Sequence, residues 1–176
     1  VRLNHSWKKR HYYTQDLVQR IAQAKKRVWI SNAYFIPHPR IIRALRFAAW
    51  SQADVRILLS SKSDVFFIPW VSAFFYSRLI QSGVKIFEYQ PKVLHSKTML
   101  IDDWATVGST NLNTRSFLHD LEVDIVLSLP NSMQSLQNQF LEDVKNAHEV
   151  TLQEAQMRPW YQKLIGRVFL SLRRWL

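Results

Sequence analysis

The stretch HSKTMLIDDWATVGSTN, residues 95–111, concentrates side chains that could act on a phosphate group. It combines an imidazole, an ammonium, a carboxylate, a glycine and small polar groups, in His95, Lys97, Asp102, Gly108, Ser109 and Asn111. An imidazole can attack phosphorus or carry a proton near neutral pH. An ammonium, a hydroxyl and an amide at one place suit the oxygens of a phosphate. The alternative is a surface hairpin with incidental polar residues, which leaves the joint occurrence of six such residues unexplained.

The composition limits the class of protein that carries these side chains. The chain has 176 residues, enough for one domain with a core, and it has no cysteine for disulfides, thiolate metal sites or nucleophiles. Its 24 Lys and Arg against 13 Asp and Glu give a net charge of +11, which favours an anionic partner, either nucleic acid or a membrane. Seven Trp and six Tyr favour the membrane, because both prefer the headgroup boundary. Since the first residue is Val, we expect an excised piece of a longer protein.

Alternating helical and strand patterns predict an α/β framework. Short apolar runs indicate buried strands at 27–35, 55–60, 84–90 and 123–129. Helical spacing and cap residues predict four helices. The first has Thr14 as its N-cap, and the others begin near Pro39, at Pro69 and after Pro130. The predicted bounds include Trp70–Gln81, ended by Gly83, and Ser132–His148.

The quoted stretch itself predicts two adjacent strands. Side chains alternate faces along a strand over Leu94–Ile101, so His95 and Lys97 should project to the same side, about 6–7 Å apart. The two aspartates would make the turn. On the returning strand, Gly108 would let the backbone approach a bound group, and the Ser and Asn after it would supply polar groups.

The spacing His95-x-Lys97-(x)4-Asp102-(x)5-Gly108-Ser109-x-Asn111 resembles the motif of the phospholipase D superfamily. The stretches NAYFIP at 32–37, GVKIFEYQP at 83–91 and GSTNLNTRSF at 108–117 are similar to the C-terminal half of bacterial cardiolipin synthases. The likeness covers about residues 12–150. It implies a phospholipase D-like layered α/β/α sandwich, with a mixed central sheet and helices on both faces. We predict a connecting segment over 1–13, a catalytic half over 14–150 and a basic amphipathic segment over 151–176.

Such enzymes carry two motifs on two similar halves, with one active site between them, whereas this chain has one motif. The resemblance leaves two forms open, an excised half or a one-motif protein that pairs with itself. The first residue and the stretch NLNTRSF favour the half. The implied reaction moves a phosphatidyl group from one phospholipid to a glycerol hydroxyl of phosphatidylglycerol through a phosphohistidine, with no metal or cofactor. The isolated chain, with one catalytic histidine, would be inactive.

The resemblance also implies a role for each motif residue. One histidine attacks phosphorus, and the other protonates the leaving alcohol and then deprotonates the acceptor hydroxyl. The N-terminal histidine is usually the nucleophile, so His95 would be the general acid/base, although the opposite assignment stays open. Lys97 and Asn111 would hold the non-bridging phosphate oxygens, with Ser109 in support.

Three further charged residues have both a functional and an ordinary interpretation. Asp102 is part of the motif, but a structural role in the turn is as open as catalysis. Glu122 stands where the family pattern has an acid, and it would either accept the imidazole N–H of His95 or form a surface salt bridge. Arg115 would hold a phosphate or cap a helix. The remaining histidines are expected to be solvated or structural: His5, His11, His38, His119 and His148.

Two aromatic stretches indicate contact with lipid. Pro159–Leu176 places bulky apolar residues on one face and bases elsewhere, which is typical of a helix that lies on anionic lipid; the alternative is packing on the domain. Val65–Tyr76 is too short to span a bilayer and would line an acyl-chain entrance or form a core helix. The resemblance implies three things about partners and place: anionic phospholipids, the N-terminal half of the same protein, and a peripheral position on the cytoplasmic side of the bacterial inner membrane.

Two rival functions remain. A one-motif homodimeric phosphodiesterase or nuclease would use the +11 charge to bind phosphates. It should show a basic groove beside His95 and no aromatic amphipathic tail. A non-catalytic membrane-binding module is the other rival, and the intact motif argues against it. Nucleic acid is therefore the less expected partner.

Overall fold

The computed structural model describes residues 1–3 and 6–171, without the side chains of 163 and 169–171. The described strands are β1 (Arg2–Leu3), β2 (Arg27–Asn32), β3 (Asp54–Ser60), β4 (Lys85–Tyr89), β5 (Thr98–Ile101), β6 (Trp104–Gly108), β7 (Val123–Leu127) and β8 (Ala147–Glu149). The described helices are α1 (Trp7–Gln23), α2 (Pro39–Trp50), α3 (Ile68–Ala73), α4 (Tyr76–Ile80), α5 (Thr114–Leu118), α6 (Pro130–Lys145), α7 (Leu152–Met157) and α8 (Trp160–Ser171).

The eight strands form one mixed sheet in the order β1-β7-β6-β5-β2-β3-β4-β8. Strands β2, β3 and β4 are parallel neighbours, and the other neighbouring pairs are antiparallel. Alternate side chains of β2 serve two cores, because side chains alternate faces along a strand. Val28 and Ile30 pack with α1 and α2, whereas Trp29 stacks on Phe140 of α6 with ring centroids 5.2 Å apart. Helices therefore cover both faces, and the predicted α/β/α sandwich is confirmed.

Helix α1 begins earlier than predicted. Ser6 is the N-cap, and Thr14, predicted to be the cap, lies inside the helix, where its hydroxyl donates to a main-chain carbonyl (2.9 Å). The Thr14 prediction is wrong because the apolar face extends upstream to the buried Tyr13, which favours a further turn of helix. Residues 1–13, predicted to be a connecting segment, thus contain β1 and the first part of α1. The domain boundaries themselves stay a prediction.

Two later helices also differ from their predicted bounds. The predicted helix over Trp70–Gln81 is divided into α3 and α4, with Phe74 and Phe75 between them. The predicted helix over Ser132–His148 ends at Lys145, and the next residues form β8, which pairs with β4. Main-chain hydrogen bonds to the otherwise open edge of β4 explain why the chain leaves the helix there.

The topology brings four chain segments to one edge of the sheet. The ends of β2 and β3, the start of β5 and the end of β6 lie together, because Ser31 is opposite Thr98 and Thr98 is opposite Val107. Loops that follow parallel strands at such an edge commonly hold ligand sites in α/β proteins. We call it the ligand edge below. In the described part of the chain, no helix is long and apolar enough to cross a membrane.

Candidate active site

His95 and Lys97 lie side by side at the ligand edge, directly before β5. The strand begins at Thr98 rather than at Leu94, so the predicted start was too early. The Lys97 Nζ lies 3.0 Å from Nδ1 and 3.4 Å from Nε2 of His95, and it donates to the His95 carbonyl oxygen at 2.8 Å. Because an ammonium has only donors, the imidazole nitrogen accepts in this contact. The two side chains share one side, as predicted, and they are closer than the spacing along a strand implies.

Lys97 is a buried cation in an otherwise exposed pair. The residue is 9% exposed, and this burial lowers the pKa of Lys97 from its ordinary value. The carboxylates of Glu122 and Asp64 act in the opposite direction and favour the charged form. A partly desolvated ammonium attracts an entering anion more strongly than a solvated one does.

Gly108 joins the returning strand to this pair and to β7. Its N–H donates to the Lys97 carbonyl oxygen (3.1 Å). A side chain at Gly108 would overlap the carboxylate of Asp124 and come within 2.7 Å of the Asp124 Cα. The glycine is therefore required by the close approach of β7. Its predicted role in admitting a bound group stays a prediction.

Ser109, just after β6, and Glu122, just before β7, are hydrogen-bonded to each other. The Ser109 hydroxyl donates to the Glu122 carboxylate and accepts the Val123 N–H (3.0 Å). The expected bond from the His95 ring to Glu122 stays a prediction beside this Ser109 bond. A phosphate contact by Ser109 would require its hydroxyl to leave Glu122. The catalytic role of Glu122 and the phosphate-binding role of Ser109 stay predictions.

Asn111 ties the loop after β6 to the end of β2. Its side-chain oxygen accepts the Tyr34 N–H (3.2 Å), and one residue on, the Leu112 N–H donates to the Asn32 side chain (3.1 Å). With its oxygen turned to the Tyr34 N–H, Asn111 can offer its NH2 group as a donor to a ligand. That polarity suits the phosphate-binding role predicted for Asn111, which stays a prediction.

A buried aspartate holds the same loop from beneath. The Asp124 carboxylate accepts the Thr110 hydroxyl (2.7 Å) and the Thr110 N–H (3.3 Å), and both residues are buried. A buried carboxylate with two such donors fixes the loop firmly, because either partner alone would be left unsatisfied. This contact sets the direction in which Ser109 and Asn111 leave the sheet.

Tyr34 and Asp64 belong to the site, although the sequence analysis gave them no role. The Tyr34 ring meets the His95 ring edge-on (centroids 5.9 Å apart), and Lys97 Nζ lies 5.9 Å from the Tyr34 ring centroid. The Tyr34 hydroxyl donates to the Asp64 carboxylate, with both oxygens 2.7 Å away. Burial and this bond raise the pKa of Tyr34 to about 12, and the same bond lowers the pKa of Asp64. Tyr34 is therefore held in place and protonated, with its ring beside the imidazole.

The position of Tyr34 offered a signal that could have revealed it. Tyr34 lies just after β2, the first of the three parallel strands, and such positions border ligand sites in α/β sheets. Asp64 offered a weaker signal, since it stands in a loop 30 residues from its partner.

Asp102 lies outside this cluster. The whole of β5 separates it from Lys97, and its carboxylate accepts the N–H groups of Lys25, Lys26 and Arg27 at 2.9, 2.8 and 3.0 Å. Burial raises the pKa of Asp102, but these three bonds outweigh it and lower the pKa below its ordinary value. Asp102 was predicted to be either catalytic or structural. Its contacts are those of a structural residue, because they join the turn after β5 to the segment that leads into β2.

Arg115 borders the site, and its two predicted roles, holding a phosphate or capping a helix, both stay open. It lies in α5, lines the cleft and pairs with Asp120 (Nε to Oδ1 3.0 Å), while Asn113 is the N-cap of α5. The other described histidines have local contacts that suit the expected solvated or structural roles: His11 with Gln15, His38 as the N-cap of α2, His119 as the C-cap of α5 and His148 with Glu154. His5 lies outside the described residues.

Together these residues line an open cleft of about 600 Å³ at the ligand edge. The lining combines an imidazole, two cations, two carboxylates and uncharged groups: Tyr34, His95, Lys97, Gly108, Ser109, Asn111, Arg115, Asp120, Leu121 and Glu122. The cleft is therefore polar, with balanced charge near its walls. It can hold one phosphate group beside an imidazole, which is an arrangement for proton or phosphoryl transfer.

Comparison with known proteins shows which family the chain resembles. The model of the family described as "Cardiolipin synthase, PLD-like domain" matches residues 17–144. A cardiolipin synthase of Geobacillus thermodenitrificans is 35% identical over 149 residues, which are 84% of this chain and 30% of that protein. The chain thus spans about a third of the length of the curated relatives it matches.

Solved structures show the same fold. The phospholipase D family member Nuc from Salmonella typhimurium has a TM-score of 0.66 at 17% identity, over 78% of this chain and 90% of Nuc. A phosphatidylserine synthase from Haemophilus influenzae has a TM-score of 0.70 at 12% identity, over 92% of this chain and 42% of that protein. The family model matches most of the chain, and the curated relative from Geobacillus thermodenitrificans is 35% identical to it. The chain therefore belongs to the PLD-like domain family of cardiolipin synthases.

Proposed function

We propose that this chain is the C-terminal catalytic half of a cardiolipin synthase. The whole enzyme would move a phosphatidyl group from one phosphatidylglycerol to the glycerol hydroxyl of another, and it would release glycerol. The reaction would take place at the cytoplasmic face of the bacterial inner membrane, with no metal or cofactor. The observation that carries the proposal is the His95–Lys97 contact in an open cleft, with Nζ 3.0 Å from Nδ1.

The proposed chemistry has two displacements at phosphorus. A histidine of the other half attacks phosphorus, the bond to the leaving glycerol oxygen breaks, and His95 gives that oxygen a proton. His95 then removes the proton from the acceptor hydroxyl, which attacks phosphorus and breaks the phosphorus–nitrogen bond. Lys97 and Asn111 supply donors to the non-bridging oxygens throughout. The reverse assignment of the two histidines uses the same groups.

An uncovered apolar strip supports a second half beside the cleft. Four side chains on the α6 side of the sheet stand outside the cover of that helix: Leu3, Val107, Val123 and Ile125, which are 39–54% exposed. The strip adjoins the ligand edge through Gly108, and a neighbouring lobe that covered it would bring its own residues to His95. Apolar side chains that are exposed together, rather than singly, are typical of a protein interface.

The charge of the cleft favours phospholipid transfer over the nuclease alternative. A nuclease should have a basic groove beside His95, whereas Lys97 and Arg115 stand opposite Asp120 and Glu122. The aromatic helix α8, which a nuclease does not need, points the same way. Phosphatidylglycerol presents one phosphate at a time, and the cleft offers donors for one.

The proposal is tested by His95→Ala in the full-length protein. We expect cardiolipin formation from phosphatidylglycerol vesicles to fall by about a thousandfold or more, because a displaced alcohol then lacks its proton donor. The matched control is His148→Ala, which removes an exposed histidine that contacts Glu154. Its activity should stay within about twofold of the wild type.

A second measurement separates loss of chemistry from loss of folding. Thermal unfolding of the His95→Ala protein should match that of the wild type, since His95 is exposed and supports no core contact. Activity above a tenth of wild type in a folded His95→Ala protein would contradict the assignment. This chain expressed alone should have neither transfer nor hydrolysis activity, because it supplies one histidine to a mechanism that uses two.

A further inference from the structure

Two aromatic segments that are distant in the sequence form one surface. Helix α8 packs on α3 so closely that a side chain at Gly166 would lie 3.4 Å from the Trp70 carbonyl oxygen. The Trp70 ring meets Phe66 edge-on at 5.8 Å and Tyr161 edge-on at 6.3 Å, and Tyr161 meets Trp160 at 6.4 Å. These contacts link the 65–76 stretch to α8. We define the aromatic surface by its members: Phe66, Trp70, Phe74, Trp160, Tyr161 and Leu164.

Packing on the domain accounts for only one face of α8. Gly166 is buried against α3, whereas Trp160 is 74%, Tyr161 45% and Leu164 53% exposed. Phe66 is 71% exposed in the segment before α3. Large apolar side chains that stand in water together, rather than singly, indicate a surface that meets another apolar phase. The two alternatives considered for the C-terminal segment, lipid contact and packing, therefore use different faces of one helix.

The charge around the aromatic surface identifies the partner. Residues 65–80 contain no acid and one base, and residues 158–176 contain no acid and five bases. Arg158 is paired with Glu88 (2.7 Å), and Arg167 is exposed. Trp and Tyr beside the exposed Arg167, in two segments that contain no acid of their own, match the headgroup region of an anionic bilayer, where aromatic rings and cations are both favoured.

The aromatic surface also adjoins the cleft. Asp64, two residues before Phe66, accepts the Tyr34 hydroxyl, and the Tyr34 ring lies against His95. A bilayer against Phe66 would therefore lie at the ligand edge, with its phosphates near the cleft.

We propose that the aromatic surface is the face by which the protein lies on an anionic bilayer, so that headgroups enter the cleft without leaving the membrane. The inference rests on the proposed function for the identity of the lipid, but the docking itself does not depend on catalysis. Its partner is the lipid surface. The rest of the same protein, seated on these aromatics, is the competing occupant.

The test places an environment-sensitive dye at single cysteines in the full-length protein. The chain has no cysteine of its own, so Phe66→Cys or Leu164→Cys gives a unique site once any cysteine elsewhere is replaced. The matched control is Trp50→Cys, because Trp50 is 58% exposed and ends α2 at the edge of the sheet opposite the cleft. None of the three side chains belongs to the buried core.

With phosphatidylglycerol vesicles, dyes at 66 and 164 should brighten roughly two- to threefold and be quenched by lipids labelled at shallow depth, as expected on entering the interface. The dye at 50 should not respond, and phosphatidylcholine vesicles should give a weaker response that salt does not change. If the dyes at 66 and 164 behave like the dye at 50, or are already in an apolar environment without vesicles, the proposal is wrong.

The same dyes in a His95→Ala background separate this inference from the proposed function. An unchanged dye response with cardiolipin formation retained would contradict the catalytic assignment alone. A second variant, Phe66→Ser with Leu164→Ser, should lower turnover of vesicle lipid about tenfold and leave hydrolysis of a soluble phosphodiester unchanged. Equal loss on both substrates would overturn the docking role.

Discussion

Asp102 belongs to the motif that carries the proposed chemistry, yet its carboxylate binds main chain at the opposite end of β5. Its three donors are the N–H groups of Lys25, Lys26 and Arg27, at 2.8–3.0 Å. Replacing Asp102 should therefore lower the stability of the fold and leave turnover by the folded protein nearly intact. Replacement by Asn and replacement by Ala should lower the free energy of unfolding by different amounts.

The expected magnitudes follow from the geometry of the turn. A hydrogen bond from an N–H to a carboxylate contributes roughly 1.5–3 kcal/mol to stability when it is buried. At this half-exposed turn we assign about 1 kcal/mol to each bond. Asp102 has φ 48°, a left-handed conformation that Asp and Asn tolerate and Ala does not. Asp102→Ala loses three bonds and adds strain, so it should lower the free energy of unfolding by about 3–5 kcal/mol. Asp102→Asn keeps an acceptor and the backbone preference and should cost about 1–2 kcal/mol.

The pH dependence has a definite sign. The pKa of Asp102 is lowered in the folded state, so its stabilisation is present above the ordinary aspartate pKa and is lost as the pH falls through the folded pKa. The difference in unfolding free energy between the wild type and Asp102→Asn should be constant near neutral pH. It should shrink below about pH 4.

The assay measures hydrogen–deuterium exchange of the peptide around residues 25–27 in the full-length protein, together with kcat at a temperature where all variants are folded. Exchange at these amides should accelerate about tenfold for each 1.4 kcal/mol lost. The matched control is Asp103→Asn, which makes the same charge change at a side chain that is 80% exposed and 3.4 Å from Lys26. It should change neither quantity.

The structural role of Asp102 would be refuted by a loss of kcat without a change in amide exchange. If Asp102→Asn lowered kcat about a hundredfold while exchange at 25–27 stayed at the wild-type rate, the residue would act in the chemistry. Reduced activity that follows the folded fraction alone would support the structural role.

Three further substitutions test other parts of the site. Gly108→Ala should cost more than 3 kcal/mol of stability and abolish soluble expression, because the new Cβ overlaps β7, whereas Gly166→Ala meets its nearest atom at 3.4 Å and should be mild in a thermal unfolding assay. Tyr34→Phe keeps the ring beside the imidazole but removes the bond to Asp64, so kcat/KM should fall by about three- to tenfold, and Tyr34→Ala should cost more. Glu122→Gln keeps the shape and removes the charge that favours the Lys97 ammonium, so kcat should fall by more than tenfold while vesicle binding, measured by sedimentation, stays unchanged.

Local patterns in the sequence were sufficient to predict alternating strands and helices, whereas the α/β/α layering was implied by the family resemblance. Apolar runs predicted the central strands, and the His–Lys pair was correctly expected on one side, because both depend on neighbours within a few residues. The edges were missed for the opposite reason. Strand β8 forms because it pairs with β4, some 60 residues away in the chain. The sequence of residues 147–149 alone does not indicate that pairing.

Long-range contacts also decided which motif residues reach the cleft. The motif places Asp102 five residues after Lys97, yet its donors lie 75–77 residues away in the sequence. Ser109 and Glu122 were expected to serve the phosphate and the imidazole separately, whereas β6 and β7 bring them into contact with each other. Tyr34 and Asp64 became visible only when β2 and β3 were side by side. A motif thus predicts which residue types are present, while the sheet register determines which of them meet.

Two independent features of the site support the proposed second lobe. The first is chemical: among the described residues that line the cleft, His95 supplies the one imidazole, and a two-step transfer through a phosphohistidine uses two. The second is physical: the apolar strip of Val107, Val123 and Ile125 stands uncovered directly beside Gly108. A lobe placed over that strip would remove the strip from water and would put a second histidine within reach of the same phosphate. Because the aromatic surface lies on the other side of the cleft, beyond Tyr34 and Asp64, the second lobe and the bilayer would not compete for space.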